Sequence, residues 1–96
     1  MLEDLDLLRS RIQELDGGII RLLGERFAHV RLLGRLKAVE GVPVEDPERE
    51  AELRQLYLDA AGRAGLDPAL VLRLFEVVHE HSRRQQRSEG RRPKTA

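Results

Sequence analysis

A seam of apolar residues follows helical spacing along the first part of the chain. Its members are separated alternately by three and four residues: Leu5, Leu8, Ile12, Leu15, Ile19 and Leu22. No proline precedes Pro43, so this pattern predicts one helix from about residue 4 to about residue 40. At about 1.5 Å per residue, this helix would be roughly 55 Å long, about twice the width of a domain of this size.

Two shorter helices are predicted by a repeated start signal, Asp46-Pro47 and Asp67-Pro68. Aspartate is a favourable N-cap, and proline fits the first helical turn. The apolar stripes that these helices are expected to bury are Leu53, Leu56, Tyr57 and Ala60 in the second helix and Leu70, Val71, Leu74, Phe75 and Val78 in the third. No segment has the alternation typical of a strand. The predicted fold class is therefore all-α, with three helices of very unequal length.

The length of the first helix predicts an association between two copies of the chain. The two shorter helices provide only about 40 residues, too few to cover a helix of roughly 55 Å. We therefore expect the first helix to pack against a second copy of itself in a homodimer. Four glycines in it each cost about 1 kcal/mol relative to alanine and would let another helix approach closely: Gly17, Gly18, Gly24 and Gly34.

The charge of the chain is balanced overall but unevenly distributed. Among the 96 residues, seventeen are Lys or Arg and seventeen are Asp or Glu. Six of the basic residues but only one acidic residue lie from Arg83 onward, so a mildly acidic body precedes a basic tail. We expect one domain at residues 1–88 and a disordered tail at residues 89–96. The overall balance gives no reason to expect a nucleic-acid or membrane partner.

The composition also narrows the chemistry and the location of the protein. The chain has no cysteine, which excludes disulfides, a thiolate nucleophile and a thiolate metal site. His79 and His81 are two residues apart and face different sides of a helix, so no metal site is predicted. The acidic first residues do not resemble a signal peptide, and no apolar stretch approaches the roughly 20 residues that span a bilayer. We expect a cytoplasmic protein.

The seam becomes cationic beyond Leu22. The same steps lead to Arg26, then near His29, and on to Lys37. Arg26 and Lys37 are eleven residues apart and would lie within about 20° of each other around the helix. Burying two unpaired cations is very costly. The seam is therefore expected to open here onto water, acidic side chains or an anionic ligand.

Other polar side chains can converge on the same place. Ser82 and Gln86 share one face of the third helix, whereas Asp46, Arg49 and Glu50 begin the second. With the two cations, these groups suit a small ligand that carries two carboxylates and a hydroxyl or amine. None of them forms a nucleophile–base pair, so they would hold and polarise a substrate without attacking it. The alternative is a non-catalytic helical dimer whose basic tail binds an acidic partner.

Four segments occur in order along the chain: "LRSRIQELD" (8–16), "LLGERFAHVRLLGRLKA" (22–38), "PVEDPERE" (43–50) and "LFEVVHEHSRRQQ" (74–86). Each is weak alone, but together they resemble the all-helical (type II) chorismate mutases over about residues 5–87. The resemblance implies an intertwined homodimer of three-helix protomers, without a metal or cofactor. It also implies an isomerase that rearranges chorismate to prephenate, the branch step toward phenylalanine and tyrosine.

The resemblance assigns roles to the cationic residues and to Gln86. Arg26 would bind one substrate carboxylate, and Arg9 would reach toward a carboxylate in the site of the other protomer. Lys37 and Gln86 would donate hydrogen bonds to the ether oxygen, where negative charge grows as the C–O bond breaks. Because an amide does not titrate, we expect the rate to change little from about pH 6 to about pH 9.

The resemblance also assigns roles at the start of the second helix and on the third. Glu50 would accept a hydrogen bond from the C4 hydroxyl of the substrate, with the backbone of Asp46 nearby. Arg49 would help to bind a carboxylate and order the connection, and Ser82 would contact the substrate. A pericyclic rearrangement needs a reactive conformer and a polarised ether, which such groups can supply without covalent or proton-transfer catalysis.

His79 and Arg83 depart from the resemblance, which implies apolar residues at this place near the substrate ring. They are either a rim histidine and the first residue of the basic tail, or part of a pocket altered for a relative of chorismate. One such relative is 4-amino-4-deoxychorismate, of aminophenylalanine-type antibiotic pathways, whose amine would meet Glu50 as a cation. Isochorismate pyruvate-lyase activity is a further option, but Asp46 and Arg49 together with Glu50 favour a mutase.

Overall fold

Three α-helices joined by two short connections make up the fold. The computed structural model describes residues 1–92, in which α1 spans Leu2–Glu40, α2 spans Pro47–Ala64 and α3 spans Pro68–Gly90. The all-α prediction is confirmed, and residues 1–92 contain no strand. None of the helices in this part of the chain is long and apolar enough to cross a membrane.

The ends of the helices follow the start and stop signals of the sequence. Asp46 and Asp67 cap α2 and α3, and each carboxylate accepts a backbone N–H, at 3.1 and 2.9 Å respectively. α1 and α2 end at Gly41 and Gly65, whose φ angles of 71° and 69° lie in the left-handed region. Glycine adopts this conformation without the steric cost of a Cβ atom, so the chain can leave each helix sharply.

α3 is the helix that joins the other two. Within residues 1–92, no Cα atom of α1 lies within 8 Å of a Cα atom of α2, whereas α3 packs against both. Arg26 of α1 contacts Ser82, and Ala38 lies beside Gly90, so the C-terminal part of α1 runs parallel to α3. α2 runs antiparallel to α3, because Glu50 near the start of α2 contacts Arg83 and Tyr57 further along α2 stacks on Phe75.

The closest approach between α1 and α3 occurs at Gly34. A Cβ atom built on Gly34 would lie 2.7 Å from Cα of Gln86, a distance that real Cβ atoms essentially never show. Gly34 is therefore required for the two backbones to cross this closely. At Gly17, Gly18 and Gly24, no atom of residues 1–92 outside the adjacent backbone of α1 lies within 4 Å of the equivalent position. Of the four glycines expected to permit close helix packing, Gly34 is the one that does so within residues 1–92 of a single chain.

The core of a single chain is small. Its buried apolar side chains are Val30, Ala61, Val71 and Val78. Three leucines that were expected to be buried are about half exposed: Leu56 at 56%, Leu70 at 58% and Leu74 at 50%. Leu70 and Leu74 lie roughly 60° to 110° around α3 from the centre of its buried face, and no other helix of the same chain covers them.

The N-terminal half of α1 projects away from the rest of the chain. Every large apolar side chain in the exposed group from Leu2 to Leu22 is between 43% and 78% exposed. The longest dimension of the molecule is 60 Å, set by this helix. The seam predicted to be covered by another helix is therefore uncovered within one chain.

The predicted boundary between domain and tail, after residue 88, falls inside α3. The helix continues to Gly90, and Glu89 is buried because it lies on the face of α3 that packs against α1. Glu89 pairs with Arg35 at 2.9 Å and Arg92 at 3.3 Å. The hydrogen bond from Arg35 is the main reason that the pKa of Glu89 is lowered. The rest of the predicted tail, residues 93–96, lies outside the described residues.

Candidate active site

A cavity of about 250 Å³ lies where α1, the connection at residues 41–46, the start of α2 and α3 meet. It brings together seven of the eight residues predicted from the sequence: Arg26, Lys37, Asp46, Arg49, Glu50, Ser82 and Gln86. Arg9 does not line the cavity and is exposed on the uncovered half of α1. Four apolar residues that were not predicted complete the wall: Val30, Leu33, Val44 and Leu53.

The guanidinium of Arg26 is held in place by α3. Arg26 donates a hydrogen bond of 2.6 Å to Oγ of Ser82, and this hydroxyl donates one of 2.8 Å to the backbone carbonyl of Val78. Ser82 is only 5% exposed, so the chain of hydrogen bonds is fixed by packing. Arginine has five N–H donors, which leaves others available to an anion in the cavity.

The ammonium of Lys37 joins α1 to the connection. Its Nζ donates a hydrogen bond of 3.0 Å to the carbonyl oxygen of Val44. The backbone carbonyl of Lys37 in turn accepts N–H donors from Gly41 and Val42. An ammonium has three donors, so the contact with Val44 orients Lys37 and leaves donors for the cavity.

Gln86 contributes a buried amide. The residue is 7% exposed, and its Oε1 atom has no hydrogen-bond partner within the described residues. A buried amide oxygen without a partner costs about 1–3 kcal/mol. A rotation of about 180° exchanges the oxygen and nitrogen of the amide, so Gln86 can offer either a donor or an acceptor. A polar ligand in the cavity would satisfy this group.

The polar side chains at the start of α2 are engaged with neighbouring groups, one in the backbone and two in side chains. The carboxylate of Asp46 accepts the backbone N–H of Arg49, and the Arg49 guanidinium donates to Glu52 at 3.2 Å. Glu50 accepts a hydrogen bond of 3.0 Å from Arg83 of α3. The first turn of α2 is thus positioned against the cavity by its own cap and by an ion pair to α3.

The connection at residues 41–46 is also tied to α3. Arg87 of α3 pairs with Glu45, while Lys37 of α1 contacts the carbonyl of Val44. These two contacts hold the middle of the connection against two different helices, α3 and α1. The connection forms one wall of the cavity, and α1 and α3, which form two other walls, hold it in place.

His79 and Arg83, which depart from the family resemblance, both line the cavity. His79 hydrogen-bonds through Nε2 to the hydroxyl of Tyr57, at 2.9 Å. Burial is the main cause that lowers the pKa of His79 below 6.5, with the positive charges of Arg26 and Arg83 as further causes, while Glu50 opposes them. At neutral pH the imidazole is therefore mainly uncharged.

The lining of the cavity carries an excess of positive charge over a partly apolar wall. Four cationic side chains face two acidic ones, and His79 adds no full charge. A second cavity of about 410 Å³, between α2 and α3, shares Glu50, His79 and Arg83 with the first. Within residues 1–92, no group of three or more His, Cys, Asp and Glu side chains could hold a metal ion. The first cavity suits a small anion with an apolar ring.

The protein is all-helical, and its cavity is cationic and contains no nucleophile–base pair. A site of this kind can bind and polarise an anionic ligand. The sequence matches the family described as Chorismate mutase type II over residues 8–87. This match covers most of the 96 residues, and the chain belongs to the type II chorismate mutase family. The family predicted from the four segments is confirmed.

The chain is similar to several curated proteins, and the names of the first two described here include chorismate mutase. The chain is 28% identical over 87 residues to the chorismate mutase of Methanocaldococcus jannaschii, a match that covers 91% of this chain and 88% of that protein. It is 32% identical over 75 residues to the bifunctional chorismate mutase/prephenate dehydratase of Escherichia coli, covering 78% of this chain and 19% of that protein. The T-protein of Haemophilus influenzae is 36% identical over 70 residues, or 73% of this chain and 19% of that protein.

Proposed function

We propose that this protein is a chorismate mutase that rearranges chorismate to prephenate as a homodimer. The observation that carries the proposal is the convergence of Arg26, Lys37, Glu50 and Gln86 on one cavity in a chain of the type II family. These residues come from three helices, and α1 and α3 are far apart in the sequence. Their convergence is a geometric property that a plain dimerisation module would not need.

The two carboxylates of the substrate are assigned to arginines. Arg26 is fixed by Ser82 at 2.6 Å and has further donors for a bidentate contact. Arg49 lines the same cavity and would leave its exposed contact with Glu52 to bind the substrate. An exposed ion pair of this kind contributes about 0.2–1 kcal/mol, so exchanging it for a substrate carboxylate is favourable.

The ether oxygen of the substrate is assigned to Lys37 and Gln86. Negative charge develops on this oxygen as the C–O bond breaks, and donors fixed in advance stabilise it without reorganisation. Lys37 is oriented by its bond to Val44, and Gln86 by burial between α1 and α3. Both groups would therefore bind the transition state better than the ground state, which is the condition for a faster chemical step.

The C4 hydroxyl of the substrate is assigned to Glu50, and Ser82, which lines the cavity, would contact the substrate from α3. Val30 and Leu33 form an apolar wall against which the ring would pack. The remaining task of the site is to hold the reactive conformer, in which the two carbons to be joined are close together. The contacts of Glu45 and Lys37 with their neighbours support a connection rigid enough to do so.

The uncovered half of α1 supports a homodimer. A helical segment of about 20 residues with an exposed apolar seam is marginal in water on its own, since most helix stability comes from packing. The seam from Leu5 to Leu22 has the heptad-like spacing of a helix pair and is exposed in one chain. Arg9 lies on this segment, and in the homodimer it would reach a carboxylate in the site of the other protomer.

A direct assay tests the proposal. Purified protein is offered chorismate, isochorismate and 4-amino-4-deoxychorismate in parallel, and the products are identified by mass spectrometry and NMR. We expect prephenate from chorismate at a rate well above the spontaneous one. Arg26→Gln serves as the matched negative control, since it removes one carboxylate contact while leaving a side chain that can bond to Ser82.

The same assay separates the alternatives. Release of pyruvate from isochorismate would indicate the lyase reaction. Turnover of the amino analogue alone would identify a 4-amino-4-deoxychorismate mutase. If no substrate rearranges although the protein is folded and helical by circular dichroism, the enzymatic proposal fails and the non-catalytic dimer remains.

A further inference from the structure

Arg83 and Glu50 form an ion pair at the edge of the candidate active site. NH1 of Arg83 lies 3.0 Å from Oε1 of Glu50, and the two residues are 33 positions apart in the sequence. Their side chains are 30% and 46% exposed, so the pair is partly shielded from water. Both residues line the cavity. The carboxylate assigned to the C4 substituent of the substrate therefore already has a cationic partner.

We propose that Arg83 determines specificity at C4, and that its ion pair with Glu50 selects a neutral hydroxyl over an ammonium group. The proposal rests on the proposed function, because it takes Glu50 as the group that faces C4. A hydroxyl donates one hydrogen bond and carries no charge. It can share the Glu50 carboxylate with Arg83, since a carboxylate has about four acceptor sites.

An ammonium at C4 would compete with Arg83 for the same carboxylate. Two cations would then lie within a few ångströms of each other, which raises the free energy of the complex unless one of them leaves. The partner Glu50 can neutralise one positive charge but not both. Moving Arg83 away would break the 3.0 Å contact that links α2 to α3. The amine substrate therefore binds either beside a like charge or at the cost of this ion pair.

The other charges around the pair act in the same direction. Arg26 and Lys37 also line the cavity, and His79, the neighbour of Arg83 on α3, is mainly uncharged at neutral pH. Within one chain the cavity thus has two more cationic than acidic side chains. A dianion with a neutral hydroxyl matches the two excess positive charges of the cavity. An added ammonium lowers the net negative charge of the ligand to one and so weakens the attraction. Removing Arg83 lowers the excess by one charge and frees Glu50.

The test compares two substrates in one series of variants. The ratio of kcat/KM for chorismate to kcat/KM for its 4-amino analogue is measured for the wild type and for Arg83→Gln at low ionic strength. We expect the ratio to fall by about tenfold or more in Arg83→Gln, because a like-charge contact is removed from the amine complex only. Arg83→Lys keeps the positive charge and should restore most of the wild-type ratio.

Arg84 provides the matched control. It follows Arg83 on α3, is exposed and pairs with Glu80 within the same helix, outside the cavity. Arg84→Gln should leave the substrate ratio unchanged. Arg83→Met retains the aliphatic stem and serves as the second variant if Arg83→Gln folds poorly by circular dichroism. It should lower the ratio in the same direction.

Each outcome decides the proposal. An equal fall for both substrates in Arg83→Gln would identify Arg83 as a carboxylate anchor and overturn the specificity role, as would an unchanged ratio in both uncharged variants. These results leave the proposed function intact if the wild type turns over chorismate. A wild type that rearranges neither substrate instead defeats the proposed function, and the specificity proposal with it.

Discussion

At the scale of single residues, Lys37 is the group on which the proposed chemistry depends most. It lies in the cavity with its Nζ held by Val44 at 3.0 Å. We expect Lys37→Ala to lower kcat by at least about 10²-fold, the scale for losing one preorganised donor to a developing oxyanion. Steady-state kinetics with chorismate measure the change, and circular dichroism checks that the helices persist.

The control for Lys37 is Arg31→Ala. Arg31 is an exposed cation on the same helix and does not line the cavity. Its replacement should leave kcat within about twofold of the wild type, because Arg31 is outside the cavity and a surface substitution of this kind changes the stability of the fold by only about 0.5 kcal/mol at most. Retention of activity in Lys37→Ala would remove Lys37 from its role at the ether oxygen.

We expect His79 to make the folded protein less stable as the pH becomes mildly acidic. Its pKa is lowered from 6.5 in the folded chain, chiefly by burial, so the unfolded chain binds the proton more readily. The protonation of His79 therefore has no effect on the free energy of unfolding well above pH 6.5. As the pH falls from 6.5 toward the lowered pKa of His79 in the folded chain, the free energy of unfolding decreases. We expect urea unfolding to show a smaller loss from about pH 7.5 to about pH 5.5 in His79→Gln than in the wild type. Equal losses would contradict this.

Much of the candidate site could be predicted from the sequence, and its ion pairing could not. Helical spacing places Arg26 and Lys37 on one face, and Ser82 and Gln86 on another. The predicted helix starts add the acidic group, and the family resemblance supplies the role of each residue. The pairing of Arg83 with Glu50 joins residues 33 positions apart on different helices. No local pattern encodes such a contact, because it depends on how α2 and α3 are aligned. The sequence shows only that two residues depart from the family.

At the scale of helices, the crossing of α1 and α3 depends on Gly34. A Cβ atom there would meet the backbone of Gln86 at 2.7 Å, and backbone cannot move aside as a flexible side chain can. We expect Gly34→Ala to lower the free energy of unfolding by about 1–3 kcal/mol, the usual cost of overpacking. It should also lower kcat, since Gln86 is displaced from the cavity. Urea unfolding and steady-state kinetics measure the two effects.

Gly62→Ala is the control for this substitution. Gly62 lies inside α2, and apart from the adjacent backbone of that helix no atom of residues 1–92 lies within 4 Å of a Cβ built on it. Alanine is favoured over glycine in a helix by about 1 kcal/mol, so this variant should be as stable as the wild type or more so. If Gly34→Ala behaves in the same way, the close crossing is not maintained in solution.

Helix boundaries were predictable to within a few residues because Asp-Pro starts and glycine ends act locally. Burial was harder to predict. Leu70 and Leu74 continue the apolar pattern of α3, yet they are exposed in one chain. The periodicity of a helix reveals which faces are apolar but not which neighbour covers each of them, since that neighbour need not belong to the same chain.

At the scale of the whole molecule, the uncovered half of α1 leads us to expect that activity depends on the proposed homodimer. We expect sedimentation to show a dimer for the wild type, and Ile12→Lys to weaken the dimer by placing a charge in the apolar seam. Activity per chain should fall at the same time, because Arg9 would no longer reach a second site. Dilution of the variant should lower its specific activity further, as mass action requires.

Gln13→Lys adds the same charge one residue further along α1. Residue 13 lies about 130° from the centre of the seam around the helix, and it is exposed. This variant should remain dimeric and active. If Ile12→Lys also remains fully dimeric and active, the seam is not the contact between protomers.

The position of α3 as the helix that joins the others has a consequence for synthesis. Arg26 and its partner Ser82 are 56 residues apart, so α1 is complete long before the helix that packs against it exists. At about 5–20 residues per second on the ribosome, this delay lasts several seconds. The apolar seam from Leu5 to Leu22 is not covered by α3 even in the complete chain, so it is exposed throughout this delay. Neighbouring ribosomes on one messenger would then present matching seams to each other, and assembly could begin before either chain is released.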